Sequence, residues 1–175
     1  MIYTSSYKDC VTNKLNTYSI SKDKGKDANY VGDCYLALAP KENFFRVWKN
    51  NIGKVDEIEN NKYYINEFYH QILENLDPQD IYNQLDNSVL LCYEDNNQFC
   101  HRHLVAAWFE LFLDVEISEI KVVNDELIIV NKPAYIKEYL EEIIKKSINM
   151  KNYATLRELY LNEKNKNKQK KIGNL

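Results

Sequence analysis

The stretch SVLLCYEDNNQFCHRH, Ser88 to His103, decides the fold. Its first six residues, Ser88-Val89-Leu90-Leu91-Cys92-Tyr93, make a nearly unbroken apolar run, the mark of a strand covered on both faces in a parallel sheet. Glu94 to Phe99 is polar and reads as a loop. From Cys100 to Leu113 the apolar positions Leu104, Val105, Ala107, Trp108, Leu111 and Phe112 return at helical spacing. The whole is one strand, loop, helix unit, which places the chain among α/β proteins. It also carries two of the four cysteines and two of the three histidines in the chain.

Working outward toward the N-terminus, Asp77 caps a short helix over Pro78 to Leu85, with proline in the first turn where its missing N–H costs nothing. Amphipathic patterns predict two further helices, over 41–50 and 60–76. Cys34 to Ala39 is an apolar run that reads as a buried strand or a short helix, stopped by Pro40 in either case. Lys22 to Gly32 is charged and holds two glycines, so it reads as an exposed loop. Ile2 to Tyr7 and Asn16 to Ser21 are β-branched and aromatic, and both read as strands. Toward the C-terminus, Asp114 to Val123 and Glu126 to Val130 are β-rich runs joined by Asn124-Asp125, a good hairpin turn. Tyr135 to Ile148 reads as a helix and Ala154 to Leu161 is a candidate for another.

The 175 residues suit a single domain over 1–161, followed by a lysine-rich tail over 162–175. The tail reads as solvated and disordered, with nucleic-acid contact as an auxiliary role open to its lysines. A hydrophobic share of 45% with 14 tyrosines predicts a folded chain, and a net charge of −3 gives no global attraction to phosphate backbones or anionic lipid. No run reaches the length of a membrane span and no signal pattern opens the chain, so a cytoplasmic location with reduced thiols is expected.

Several segments together resemble the family catalogued as domain of unknown function 488. They are Ile2-Tyr3-Thr4-Ser5, Ser19-Ile20-Ser21, Tyr35 to Pro40, Leu90-Leu91-Cys92-Tyr93-Glu94 and Phe99-Cys100-His101-Arg102. Members carry an LLC-x-E segment, a variable loop and a CHR segment, and the likeness covers about residues 1–120 in the right order. The resemblance implies a Rossmann-like three-layer sandwich with a mainly parallel sheet, to which the hairpin and a C-terminal helix are added. It also implies that Ser5, Ser19, Ser21, Cys92, Glu94, Cys100, His101 and Arg102 meet at a strand-end crevice.

Ligands of open parallel sheets sit beyond the carboxyl ends of the strands, where the 93–99 loop falls. A helix opening near Cys100 would offer unpaired amides to an anion, with the Arg102 fork beside them. The same helix end would lower the Cys100 thiol pKa, whereas Cys92, inside a strand, reads as an inert core thiol. Glu94 reads either as a general base or sugar-binding carboxylate, or as a loop cap or partner of Arg102. Zinc is the rival reading for Cys92, Cys100, His101 and His103, but their spacing is not a usual paired one. Cys100 and His101, adjacent on a helix, would also point about 100° apart, so no metal is expected. His70 reads as an ordinary helix-face histidine. No P-loop is present, no motif names a cofactor, and nothing fixes an oligomeric state.

The expectation is an enzyme acting on a small anionic ligand of nucleotide or phosphosugar type, with Glu94 and Cys100 catalytic and Ser5, Ser19, Ser21, Cys92, His101 and Arg102 binding. The rivals are a non-catalytic binding module, in prophage conflict or nucleic-acid-linked regulation, and a thiol redox sensor using Cys92 and Cys100.

Overall fold

The computed structural model describes residues 1–11, 14–147, 157–158 and 161–162. The candidate helix over 154–161 and the tail over 162–175 otherwise lie outside the described residues. Six strands form one sheet: β1 (Ile2–Ser6), β2 (Asn16–Ser19), β3 (Asp33–Cys34), β4 (Ser88–Cys92), β5 (Ser118–Val123) and β6 (Glu126–Val130), in the order β3-β2-β4-β1-β5-β6. All neighbours are parallel except the β5/β6 hairpin, so the chain is an α/β protein with a mainly parallel sheet. β4 lies between β1, in register from Ile2 opposite Ser88 to Ser6 opposite Cys92, and β2. All five of its residues are buried, as the apolar run requires.

Among the described residues, five helices follow the expected pattern: α1 (Glu42–Asn51), α2 (Glu57–Gln71), α3 (Pro78–Gln84), α4 (His101–Leu113) and α5 (Tyr135–Ser147). All contribute to the larger core, where Leu90 of β4 meets Phe68 of α2, Ile81 of α3, Trp108 of α4 and Leu140 of α5. Val89 and Leu91, pointing the other way from the same strand, join a smaller core with Tyr7, Cys10 and Ile120. That face is closed by loop residues, among them Tyr30 and Tyr93. Among the described residues no helix is long and apolar enough to cross a membrane.

Local chemistry explains the boundaries. Asp77 caps α3 by accepting the Asp80 N–H at 2.9 Å. Asp56 does the same for α2 through Glu59, so that helix starts three residues before its apolar pattern does. Asn124 and Asp125 take φ of 51° and 67°, the left-handed pair of a tight hairpin turn. The Cys34 to Ala39 run is neither a buried strand nor a full helix. β3 is a two-residue edge strand paired only to β2, a single 3-10 turn follows over Leu36–Leu38, and only Leu38 of that turn is buried.

Candidate functional site

The carboxyl ends of β2 and β4 and the first turn of α4 converge on a cleft of about 560 Å³. Ser21, Cys92, Glu94 and His101 line it, with Lys22 and Asp23 from the 22–32 loop and Phe45 and Lys49 of α1 opposite. Glu94, Phe45 and Lys49 also border an adjoining hollow of about 640 Å³ that runs toward Trp48 and Phe99. Glu94 therefore stands where two concavities meet.

At the floor, Cys92 Sγ lies 3.4 Å from Glu94 Oε2, 3.4 Å from His101 Nδ1 and 3.8 Å from Ser21 Oγ. His101 Nε2 sits 2.9 Å from the Ile20 carbonyl. A carbonyl only accepts, so Nε2 carries the proton and Nδ1 faces the sulfurs. Burial works against a charged His101 ring, but the Cys100 sulfur, the Ile20 carbonyl and Glu94 together raise its pKa. Burial, followed by the adjacent Cys100, pushes the Glu94 carboxyl up to about 7, so it exchanges a proton near neutral pH.

Behind the floor, the Tyr7 hydroxyl bonds Ser19 Oγ and Ser21 Oγ, both at 2.6 Å, and burial raises its pKa to about 12. Ser19 thus supports the site through Tyr7 instead of lining it. Sequence reasoning missed Tyr7, although its place just past β1, bonded through its N–H to the Cys92 carbonyl at 3.0 Å, fits the strand-end rule. Asp23 was missed as well. Burial opposes its ionisation, yet hydrogen bonds from Tyr93 and the amides of Gly25 and Asp27 lower its pKa and hold the loop over the cleft.

Two expected ligand contacts are placed elsewhere. Ser5 Oγ donates to the Ile120 carbonyl at 2.6 Å, inside the sheet. Arg102 is fully buried and its fork is taken by Glu119 of β5, with Nη2 to Oε1 at 2.9 Å and Nε to Oε1 at 3.1 Å. One step along a helix turns a side chain by about 100°, so Arg102 faces β5 while His101 faces the cleft. Glu94 accordingly does not pair with Arg102. Burial resists the Glu119 charge, but His103 and Arg102 hold its carboxyl down at about 2.

Cys100 corrects two expectations. It is the N-cap of α4, with extended φ of −150° and ψ of 146°, and it is buried. Burial, with Cys92 beside it, pushes its thiol up to about 12, which outweighs the helix end that was expected to activate it. Because it lies outside the helix, the 100° separation from His101 does not apply. The Cys92 and Cys100 sulfurs and a His101 ring nitrogen all lie within 4.8 Å of one another. His70 lies in the last turn of α2, as its pattern suggested, and its ring sits 2.8 Å from Glu74 in the turn beyond the helix.

A family model described as "Active DUF488-N3 subclade" matches residues 4–111, more than half of the chain. The chain belongs to the DUF488 family. In this DUF488 protein the matched span holds every cleft residue named above, from Tyr7 to His101, whereas Glu119, the hairpin and α5 lie beyond it. Comparison with curated proteins gave no match, and neither did comparison with solved structures.

Proposed function

We propose that this protein is a small enzyme that takes a nucleotide or phosphosugar into the cleft and uses Glu94 to move a proton during its hydrolysis or transfer. One observation carries the reading. A carboxyl group with its pKa pushed to about 7 stands at the floor of a strand-end cleft, beside a thiol and an imidazole. Lys22 and Lys49 at the walls supply cations for the anionic part of the ligand, and Phe45 offers a flat apolar face for a ring. Lys22 is exposed and paired with Glu42, an arrangement that an incoming anion exchanges at little cost. The family model's description as an active subclade agrees with chemistry at this site. Four free cysteines favour a reducing compartment such as the cytoplasm.

The test is turnover of a panel of nucleotides and sugar phosphates, followed by mass spectrometry, for wild type and Glu94→Gln. The reading expects one class to be converted by wild type alone. Retention of an unmodified ligand by both proteins would instead make the protein a binding module. Thiol redox sensing is a second reading, favoured by the proximity of the Cys92 and Cys100 sulfurs. Their burial and the raised Cys100 pKa weigh against it, since oxidation follows thiolate character and access.

A further inference from the structure

We propose that Cys92, Cys100 and His101 form a three-ligand site for a zinc ion, with the fourth coordination position open to the cleft beside Glu94. The donor atoms are already gathered: Cys92 Sγ is 3.4 Å and Cys100 Sγ 4.0 Å from His101 Nδ1, and all three donors fall within 4.8 Å. A tetrahedral zinc with Zn–S of about 2.3 Å and Zn–N of about 2.0 Å sets sulfur and nitrogen roughly 3.5 Å apart, so Cys92 already stands at that spacing from His101 and the Cys100 sulfur has to close on the ring by about half an ångström.

A second, independent feature points the same way. His101 donates its Nε2 proton to the Ile20 carbonyl at 2.9 Å, which leaves the Nδ1 lone pair directed at the two sulfurs. A metal-bound histidine characteristically has its other ring nitrogen held by such an acceptor, which fixes tautomer and ring orientation together. Two thiolates and one imidazole also form a soft donor set that selects zinc over magnesium or calcium.

Loading is a proton exchange without redox change. Zn²⁺ forms two bonds to sulfur, the Cys92 and Cys100 thiols release two protons to solvent, and His101 contributes its Nδ1 lone pair while keeping the Nε2 proton. The resulting centre is electrically neutral, which suits its burial. Cys92 and His101 line the cleft with Glu94, whose Oε2 lies 3.4 Å from Cys92 Sγ, so a water in the fourth position would stand next to a carboxylate able to accept its proton. The site does not depend on the cleft being catalytic.

The experiment is zinc titration of the reduced full chain, read by native mass spectrometry and metal analysis after dialysis. One zinc per chain is expected. Cys92→Ser, Cys100→Ser and His101→Ala should each weaken binding by about 100-fold or more, since loss of a supporting residue alone costs 10–100-fold. Cys10→Ser, in the smaller core, and Glu94→Gln should retain the metal. Because substitution of a buried ligand can unfold a chain, cobalt(II) added to wild type gives a separate reading. Thiolate-to-cobalt charge-transfer absorption and intense visible bands are expected. The spectrum of hydrated cobalt, or zinc held equally by the Cys92 and Cys100 variants, overturns the proposal. Turnover by metal-free protein leaves the enzyme reading standing and removes a catalytic role for zinc. Stoichiometric zinc without turnover supports the site and removes the enzyme reading.

Discussion

Replacing Glu119 by Gln strips the charge from one side of a fully buried ion pair, and the cost follows from the structure in two ways. Arg102 is 0% exposed and Glu119 is 2% exposed, so neither water nor salt relieves a lone guanidinium at this depth. Removing one partner of such a pair destabilises a protein by about 3–5 kcal/mol. The second route is through protonation. The Glu119 carboxyl falls from an ordinary 4.5 to about 2 in the folded chain, which at about 1.4 kcal/mol per pH unit corresponds to roughly 3 kcal/mol. The two figures agree. The folded-state value is depressed, so this stability is fully present above pH 4.5 and is lost as pH falls toward 2. Urea unfolding followed by tryptophan fluorescence measures both effects. At pH 7 the Glu119→Gln variant should lose about 3 kcal/mol, a large part of the 5–15 kcal/mol typical of a domain. Between pH 4.5 and 2 its stability should change less steeply than that of wild type. A loss under about 1 kcal/mol at pH 7, or parallel acid limbs for the two proteins, would refute the reasoning.

Other consequences are open to direct measurement. If Glu94 acts as the base, wild-type turnover should rise through about pH 7, the value its burial sets, and Glu94→Gln should abolish it; a profile flat from pH 5.5 to 8.5 would contradict this. The same substitution should make the protein more stable at pH 8, because the folded state resists ionising this carboxyl and the unfolded state does not. Brief alkylation of the native, reduced protein should mark Cys34, the one cysteine of the four that is not buried, ahead of Cys10, Cys92 and Cys100; peptide mapping reads the order directly. Asp125→Gly should raise the melting temperature, with a gain of about 0.5–1 kcal/mol, since φ of 67° suits glycine and the Lys14–Asp125 pair it removes is exposed.

What could be read in the amino acids depended on how local the cause was. β4 was legible because burial on both faces leaves no polar alternation, and α3 and the hairpin were legible because Asp77 and Asn124-Asp125 act within a few residues. Glu94 and His101 were legible as strand-end and helix-start residues. The partner of Arg102 was not, because Glu119 sits 17 residues on and looks like any polar residue in a strand; only the pairing of β1 with β5 brings it under α4. Cys100 was misread for a related reason. Its backbone is that of a cap, and its thiol is surrounded by Cys92 and the core, so burial sets its pKa instead of the helix end. Tyr7, behind the floor, and Lys22 and Lys49, at the walls, come from three separate parts of the chain and reach the cleft only through tertiary packing.

The three residues that open α4 each hold something different. Cys100 closes on the β4 sulfur, His101 grips the carbonyl at the end of β2, and Arg102 reaches across to β5. A rod pinned in three directions at one end has no freedom left to roll. The floor of the cleft is therefore a stator, fixed by the same contacts that hold the sheet together. The walls, made by the 22–32 loop and the Phe45 and Lys49 face of α1, are tied by exposed contacts instead, Lys22 to Glu42 and Asp23 to Tyr93. An engineer seeking a new ligand would randomise those segments and leave the floor untouched.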